Sequence, residues 1–274
     1  MGVTEVRLGA EHLAGCAALS AAAGWNQNEA DWRLMLRMGP GWGLAAADGA
    51  LAASTLVLPY GGFAWISMVL VLPAHRRRGH ATRLLRLALA HLEKEKLTPV
   101  LDATPAGREV YRQEGFRDTW GFKRYVGNSM TQSEGNRTRP LREHDWPWIL
   151  ALDRAAFGGD RALLLRSLAG RLPAAALVAE GEGFVLGREG RETPQIGPLV
   201  ANDARIGQSL LDAARQRVSG PVYLDIADHA ALDRDGLAVQ RPFTRMVHGG
   251  MVHGADSAPG DRSKVFLVAG PELG

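Results

Sequence analysis

Pro73-Ala74-His75-Arg76-Arg77-Arg78-Gly79-His80-Ala81-Thr82 is the stretch on which the fold of this chain turns. The apolar run Phe63 to Leu72 before it reads as a strand, and Pro73 ends that strand. After it, Ala81, Leu84, Leu85, Ala88 and Leu92 recur at helical spacing, while Arg83, Arg86 and Glu93 lie off their face. A helix is therefore expected from about Gly79. The first turn of a helix has unpaired N–H groups and the positive end of the dipole, and both attract anions. Gly79 has no side chain and Ala81 almost none, which opens the amides to a phosphate. Arg76, Arg77 and Arg78 add positive charge, and one charge-assisted hydrogen bond contributes about 1.5–3 kcal/mol. The loop lacks the Gly-Lys-Ser/Thr of an ATP-binding P-loop and the Gly-x-Gly-x-x-Gly of a Rossmann turn. Alone, the three arginines fit a solvated basic loop as well as an anion site, with RNA a weaker third reading.

Outward from this loop the chain repeats itself. Gly43 to Ala47 and Ala52 to Pro59 read as strands joined by the turn Asp48-Gly49, and Val100 to Ala103 as a strand before a short helix ending at Gly115-Phe116. Residues 127–140 are polar and Gly-containing and read as a linker. Beyond them, Ala175 to Ala179 and Gly183 to Gly187 read as a hairpin and Ile196 to Ala201 as the apolar run. A helix with Leu210, Leu211 and Ala214 inward follows, then the strand Val222 to Ile226. Leu101-Asp102 is echoed by Leu224-Asp225, and Arg124 by Arg245. The expectation is an α/β (α+β) chain of two similar units, residues 1–126 and 141–274.

The bulk numbers narrow the function classes. Of 274 residues, 46% are hydrophobic and 22% charged, which suits a folded globular chain. A net charge of +3 is too mild to argue for nucleic acid. A single cysteine, Cys16, excludes an internal disulfide and fits a reducing cytoplasm. Glu5, Arg7 and Glu11 interrupt any signal-peptide core, and no run approaches the ~20 apolar residues of a membrane span. The expectation is a cytoplasmic protein with no membrane partner. No His or Cys spacing suggests a metal, and His248 and His253 read as surface-loop residues.

Arg76-x-x-Gly79-x-Ala81, following the strand Trp65 to Val71, resembles the acetyl-coenzyme A signature of the GNAT superfamily of N-acetyltransferases. Leu101 to Gly107, then Val110-Tyr111-Arg112-Gln113-Glu114-Gly115-Phe116, is similar to that family's later strand and Tyr-x-x-x-Gly-Phe helix. Ala23-Gly24-Trp25-Asn26-Gln27 with Asp31-Trp32 resembles a bacterial subgroup of tandem GNAT proteins, and Arg241 to Met246 looks like the closing strand of their second domain. The resemblance implies two tandem domains, each a mixed, mostly antiparallel sheet flanked by helices. It also implies acetyl transfer from acetyl-coenzyme A to a primary amine, expected on a small molecule. Backbone groups of Met68, Val69, Leu70 and Val71 would then meet pantetheine. Amides of Arg76, Arg77, Arg78, Gly79, His80, Ala81 and Thr82 would hold pyrophosphate. Thr104 stands where relatives often have an asparagine, and Tyr111 where a tyrosine protonates the leaving thiolate.

Trp25, Asn26, Trp32 and Tyr60 are candidates for the acceptor side, since aromatic faces attract cationic amines; core packing explains the tryptophans as well. Tyr111 likewise fits an aromatic packed on a short helix. The strand Phe63 to Val71 has no Asp or Glu to act as a base, which leaves Asp102 and Asp31 as weak candidates. Without a visible base, a coenzyme A sensor and a protein lysine or N-terminal acetyltransferase stay open.

The second copy departs from the pattern. Its connection Ala201 to Gln208 is two or three residues short, Asp203 puts negative charge where pyrophosphate would sit, and Asp233, Arg234 and Asp235 replace the tyrosine helix. The second unit is expected to bind no cofactor and to shape the acceptor pocket or a homodimer contact.

Overall fold

A computed structural model of the chain describes residues 2–130, 138–249 and 258–274. The first half runs β1 (Thr4–Arg7), α1 (Leu13–Ala22), α2 (Glu29–Met38), β2 (Gly41–Ala45), β3 (Leu51–Pro59) and β4 (Phe63–Val71). It continues with α3 (His80–Glu95), β5 (Thr98–Ala103), α4 (Pro105–Gln113) and β6 (Phe116–Gly127). The second half runs β7 (Arg139–Pro140), α5 (Trp146–Phe157), α6 (Ala162–Arg171), β8 (Leu177–Ala179), β9 (Gly183–Arg188) and β10 (Gln195–Ala201). α7 (Ala204–Arg217), β11 (Val222–Ala227), β12 (Ala238–His248) and β13 (Val265–Leu267) complete it. Of the segment 127–140, residues 131–137 lie outside the described residues, as does His253. His248 closes β12, its Nε2 3.0 Å from the carbonyl of Glu114, instead of lying in a loop.

Local chemistry explains these elements. The turn between β2 and β3 places Gly49 at φ +82°, where a side chain would be strained. α3 buries Leu85, Ala88 and Leu92 on a core that includes Ile66 and Leu101, and Leu84 against Leu44 and Ala53. α7 does the same with Leu210, Leu211 and Ala214.

Among the described residues all strands join one 13-stranded sheet, and its order shows how the halves are joined: β1-β2-β3-β4-β5-β12-β6-β11-β13-β10-β9-β8-β7. β12 comes from the second half yet lies between β5 and β6. β6 comes from the first half yet pairs along β11. Each half thus lends one long strand to the other. The residues that echo each other in the sequence are cross-partners in space. Arg245 sits opposite Asp102 and binds it through Nε and Nη2, both at 3.0 Å. Arg124 sits opposite Asp225 and binds it at 2.8 and 2.7 Å. All four side chains are at least 96% buried, so removing one partner would leave an uncompensated charge.

Candidate active site

β4 carries an irregularity that makes room for a ligand. Leu56 pairs with Ser67 and Ser54 with Leu70, so one residue of β3 faces two of β4. Met68 takes up the extra length at φ +52°, a conformation that costs a non-glycine residue about 1–3 kcal/mol. The Ser54 hydroxyl holds it by donating to the Met68 carbonyl at 2.8 Å. Below the bulge β4 pairs in parallel with β5, but only from Phe63 to Trp65 against Thr98 to Val100. Above it the two strands separate. The β4 edge from Met68 to Val71 is left facing a cleft instead of a strand.

α3 begins at the mouth of that cleft. Its N-cap is Gly79 at φ +76°, with no side-chain cap and open space where a Cβ would project. The first backbone N–H bonded within the helix is that of Arg83, to the Gly79 carbonyl at 2.9 Å. The amides of His80, Ala81 and Thr82 therefore have no helical acceptor. Arg76 turns back to donate from Nε to the Val71 carbonyl at 3.1 Å, which ties the loop to the end of β4. Arg77 and Arg78 are exposed beside it. Burial and the neighbouring His75, Arg78 and Arg83 hold the His80 imidazole below its usual pKa.

The cleft, about 420 Å³, is lined by Val69, Leu70 and Val71 of β4, Arg76 and Ala81 at the start of α3, and Asp102 and Thr104 at the end of β5. Tyr111, with three other α4 residues, and Ala23 and Trp25 close it. Thr104 also caps α4, accepting from the Gly107 N–H at 3.3 Å. The Tyr111 ring packs on Gly107, where a Cβ would come within 3.0 Å of it. Burial pushes the Tyr111 hydroxyl up to about 12, so it stays protonated at neutral pH. A larger depression of about 530 Å³ on the other flank of α3 is open to solvent, and its arginines are engaged: Arg83 with Glu5, Arg86 with Glu114.

Among the acceptor-side candidates, Trp25 lines the cleft. Trp32 is fully buried and donates its indole N–H to Ser20 Oγ at 2.9 Å. Asn26 brackets the second half, bonding Thr193 O, Glu192 N and Thr193 N. Tyr60 donates its buried hydroxyl to the Leu273 carbonyl at 2.9 Å. None of these three lines the cleft. Asp31 is occupied as well, capping the start of α2 and pairing with Arg171 and Arg188 at 2.7 and 2.5 Å. Asp102 does face the cleft. Burial pushes its carboxyl up to about 6, against the pull of Arg245.

Glu272 is a site residue that sequence reasoning missed. It lines a small chamber continuous with the inner cleft and reaches it from the far end of the chain. Nothing in Pro271-Glu272-Leu273 has a period or motif to mark it.

The second half has the same parts arranged differently. α7 is capped by Asp203, whose carboxylate accepts from the Ile206 N–H at 2.9 Å. β13 lies in the fork where β10 and β11 separate.

Residues 11–116 match the family model described as Acetyltransferase (GNAT) family, and residues 149–267 the model described as Acetyltransferase (GNAT) domain. The chain belongs to the GNAT acyltransferases. This GNAT chain is similar to the uncharacterized N-acetyltransferase YitH of Bacillus subtilis (strain 168), with 25% identity over 236 residues and 83% of each chain covered. Its fold superposes on a Pyrococcus horikoshii protein with a TM-score of 0.80 at 21% identity, covering 100% of this chain and 96% of that one. A tandem GNAT protein from the clavulanic acid biosynthesis pathway matches at a TM-score of 0.58 and 14% identity, covering 89% and 98%. Two GNAT units in tandem, in a mixed and mostly antiparallel sheet flanked by helices, are thus established.

Proposed function

We propose that residues 1–126 hold acetyl-coenzyme A and that the chain acetylates the primary amine of a small molecule. Residues 127–140 would join them to 141–274, a unit that holds no cofactor. One observation supports the reading most: an uncapped helix start opens into the same cleft as the bulged, unpaired edge of β4. A strand edge without a partner has N–H and C=O groups to offer an amide-bearing arm. A helix start with open space at Gly79 offers donors to a diphosphate. In the second half Asp203 and β13 take up both features, which supports one cofactor per chain.

When bound, acetyl-coenzyme A supplies an acyl thioester. The amides of His80 to Thr82, with Arg76 to Arg78, would hold its diphosphate, and Met68 to Val71 its pantetheine arm. Tyr111 would hold a proton at the leaving sulfur. With the hydroxyl near 12 and an ordinary thiol near 8.5, complete transfer is uphill by roughly 5 kcal/mol, so Tyr111 acts chiefly as a hydrogen-bond donor. The overall change turns an ammonium and a thioester into an amide, a thiol and one released proton. An amine of pKa near 10.4 costs about 4.6 kcal/mol to neutralise at pH 7, so the acceptor side must favour proton loss.

The test is thiol release from acetyl-coenzyme A with a panel of amines. The wild-type chain is expected to turn over, and Tyr111→Phe to lower kcat about 10- to 100-fold with coenzyme A binding kept. Tight binding without thiol release from any amine would favour a coenzyme A sensor.

A further inference from the structure

β13 fills in the second half the fork that stands open in the first. β10 and β11 pair in parallel at Gln195–Ile196 with Tyr223–Leu224, and Leu267 of β13 then bridges Leu199 and Ile226. The Val268 N–H donates to the Asp225 carbonyl at 3.1 Å. From this anchor the chain returns to the first half. Trp65 Nε1–H donates to the Pro271 carbonyl at 3.0 Å, the Tyr60 hydroxyl to Leu273, and Arg161 to Gly274. Gly270, at φ +135°, opens a tight turn in which the Leu273 and Gly274 N–H groups both donate to its carbonyl. A Cβ at 270 would meet Glu272 Oε1 at 2.8 Å, so the glycine also makes room for that carboxylate.

The turn directs Glu272 two ways. Oε1 is bound by Arg188. Oε2 is buried and has no hydrogen-bond partner among the described residues. Beside the carboxylate is a chamber of about 30 Å³, lined also by Ser67, Asp102, Tyr111 and Phe243. Trp25, Asp102, Thr104 and Tyr111 line both this chamber and the main cleft.

We propose that Glu272 Oε2 receives the –NH3+ head of a primary amine, so that the 270–274 turn selects the acceptor class. The inference rests on reading the main cleft as the acetyl-coenzyme A site. A buried carboxylate oxygen without a donor is unfavourable, and a ligand that brings one relieves it. The chamber has room for one water-sized group, which an ammonium head matches. Glu272 and Asp102 face it, with Arg188 and Arg245 behind them. Carboxylates forward and guanidiniums behind favour a cation and repel an acidic head. Trp25, which lines both spaces, adds an aromatic side chain of the kind that attracts cations.

The experiment uses the full chain with coenzyme A binding, melting temperature and steady-state acetylation measured together. The probes are butylamine, benzylamine, tyramine and spermidine, with benzyl alcohol as the uncharged control. Glu272→Gln is expected to bind coenzyme A as the wild type does and to raise KM for the best amine about 10- to 100-fold, with a smaller change in kcat. Glu272→Asp, which keeps the charge on a shorter arm, is expected to recover part of the loss. It also decides the matter if the glutamine variant fails to fold. Benzyl alcohol is expected to give no product. An unchanged KM in both variants overturns the proposal. So does a wild-type chain that binds coenzyme A but acetylates none of the amines, although the cofactor reading then stands. A chain that takes up no coenzyme A overturns the cofactor reading itself.

Discussion

Gly79→Glu is expected to weaken coenzyme A binding at least about 100-fold while the chain stays folded. The position opens onto solvent, and a Cβ there meets nothing within 4 Å, so no packing is lost. The φ of +76° costs a side chain about 1–2 kcal/mol, a drop of a few degrees in melting temperature for a chain of this size. The carboxylate would stand among the amides of His80 to Thr82, where the diphosphate is proposed to sit. Losing two charge-assisted bonds removes about 3–6 kcal/mol before repulsion is counted. Calorimetric titration with a thermal melt separates the two effects. A variant that melts normally and binds normally would move the cofactor elsewhere.

Arg188→Met is expected to lower stability by about 3–5 kcal/mol, because it strips a buried carboxylate of its cation. Arg188 has no exposed surface and bridges three segments: Asp31 of α2 at 2.5 Å, Gln195 of β10 at 3.1 Å, and Glu272 of the final turn. Arg171 still pairs with Asp31 in the variant, but Glu272 would lose its cation. A melting temperature lower by about 10 °C is the expected reading from calorimetric scanning. The loss should extend to both halves in one transition, because β6 and β12 are exchanged between them. A shift below about 2 °C would mean that the cluster is not holding the halves together.

Much of the scaffold was legible because its signals are local. Pro73, the apolar spacing of α3 and the Asp48-Gly49 turn each fix a few residues of backbone. The negative charge that Asp203 brings to the start of α7 was legible too, while its bond to the Ile206 N–H was not. The exchange of β6 and β12 was not, because a strand's period does not say which half supplies its neighbour. Asp102, Arg124, Asp225 and Arg245 were visible as echoes. Only the sheet order shows that each arginine pairs with the other half's aspartate. Asn26, Trp32 and Tyr60 have side chains suited to an acceptor site, but Thr193, Ser20 and Leu273 already engage them. Glu272 depends on a turn whose partners, Tyr60, Trp65, Arg161 and Arg188, are remote in sequence, which no local pattern encodes.

Titrating coenzyme A into the purified chain in a calorimeter asks whether the cleft beside β4 and the start of α3 holds one cofactor. Saturable heat at one equivalent per chain is expected, with the first-half cleft occupied and the second-half fork closed by β13. No heat, or two equivalents per chain, would contradict it.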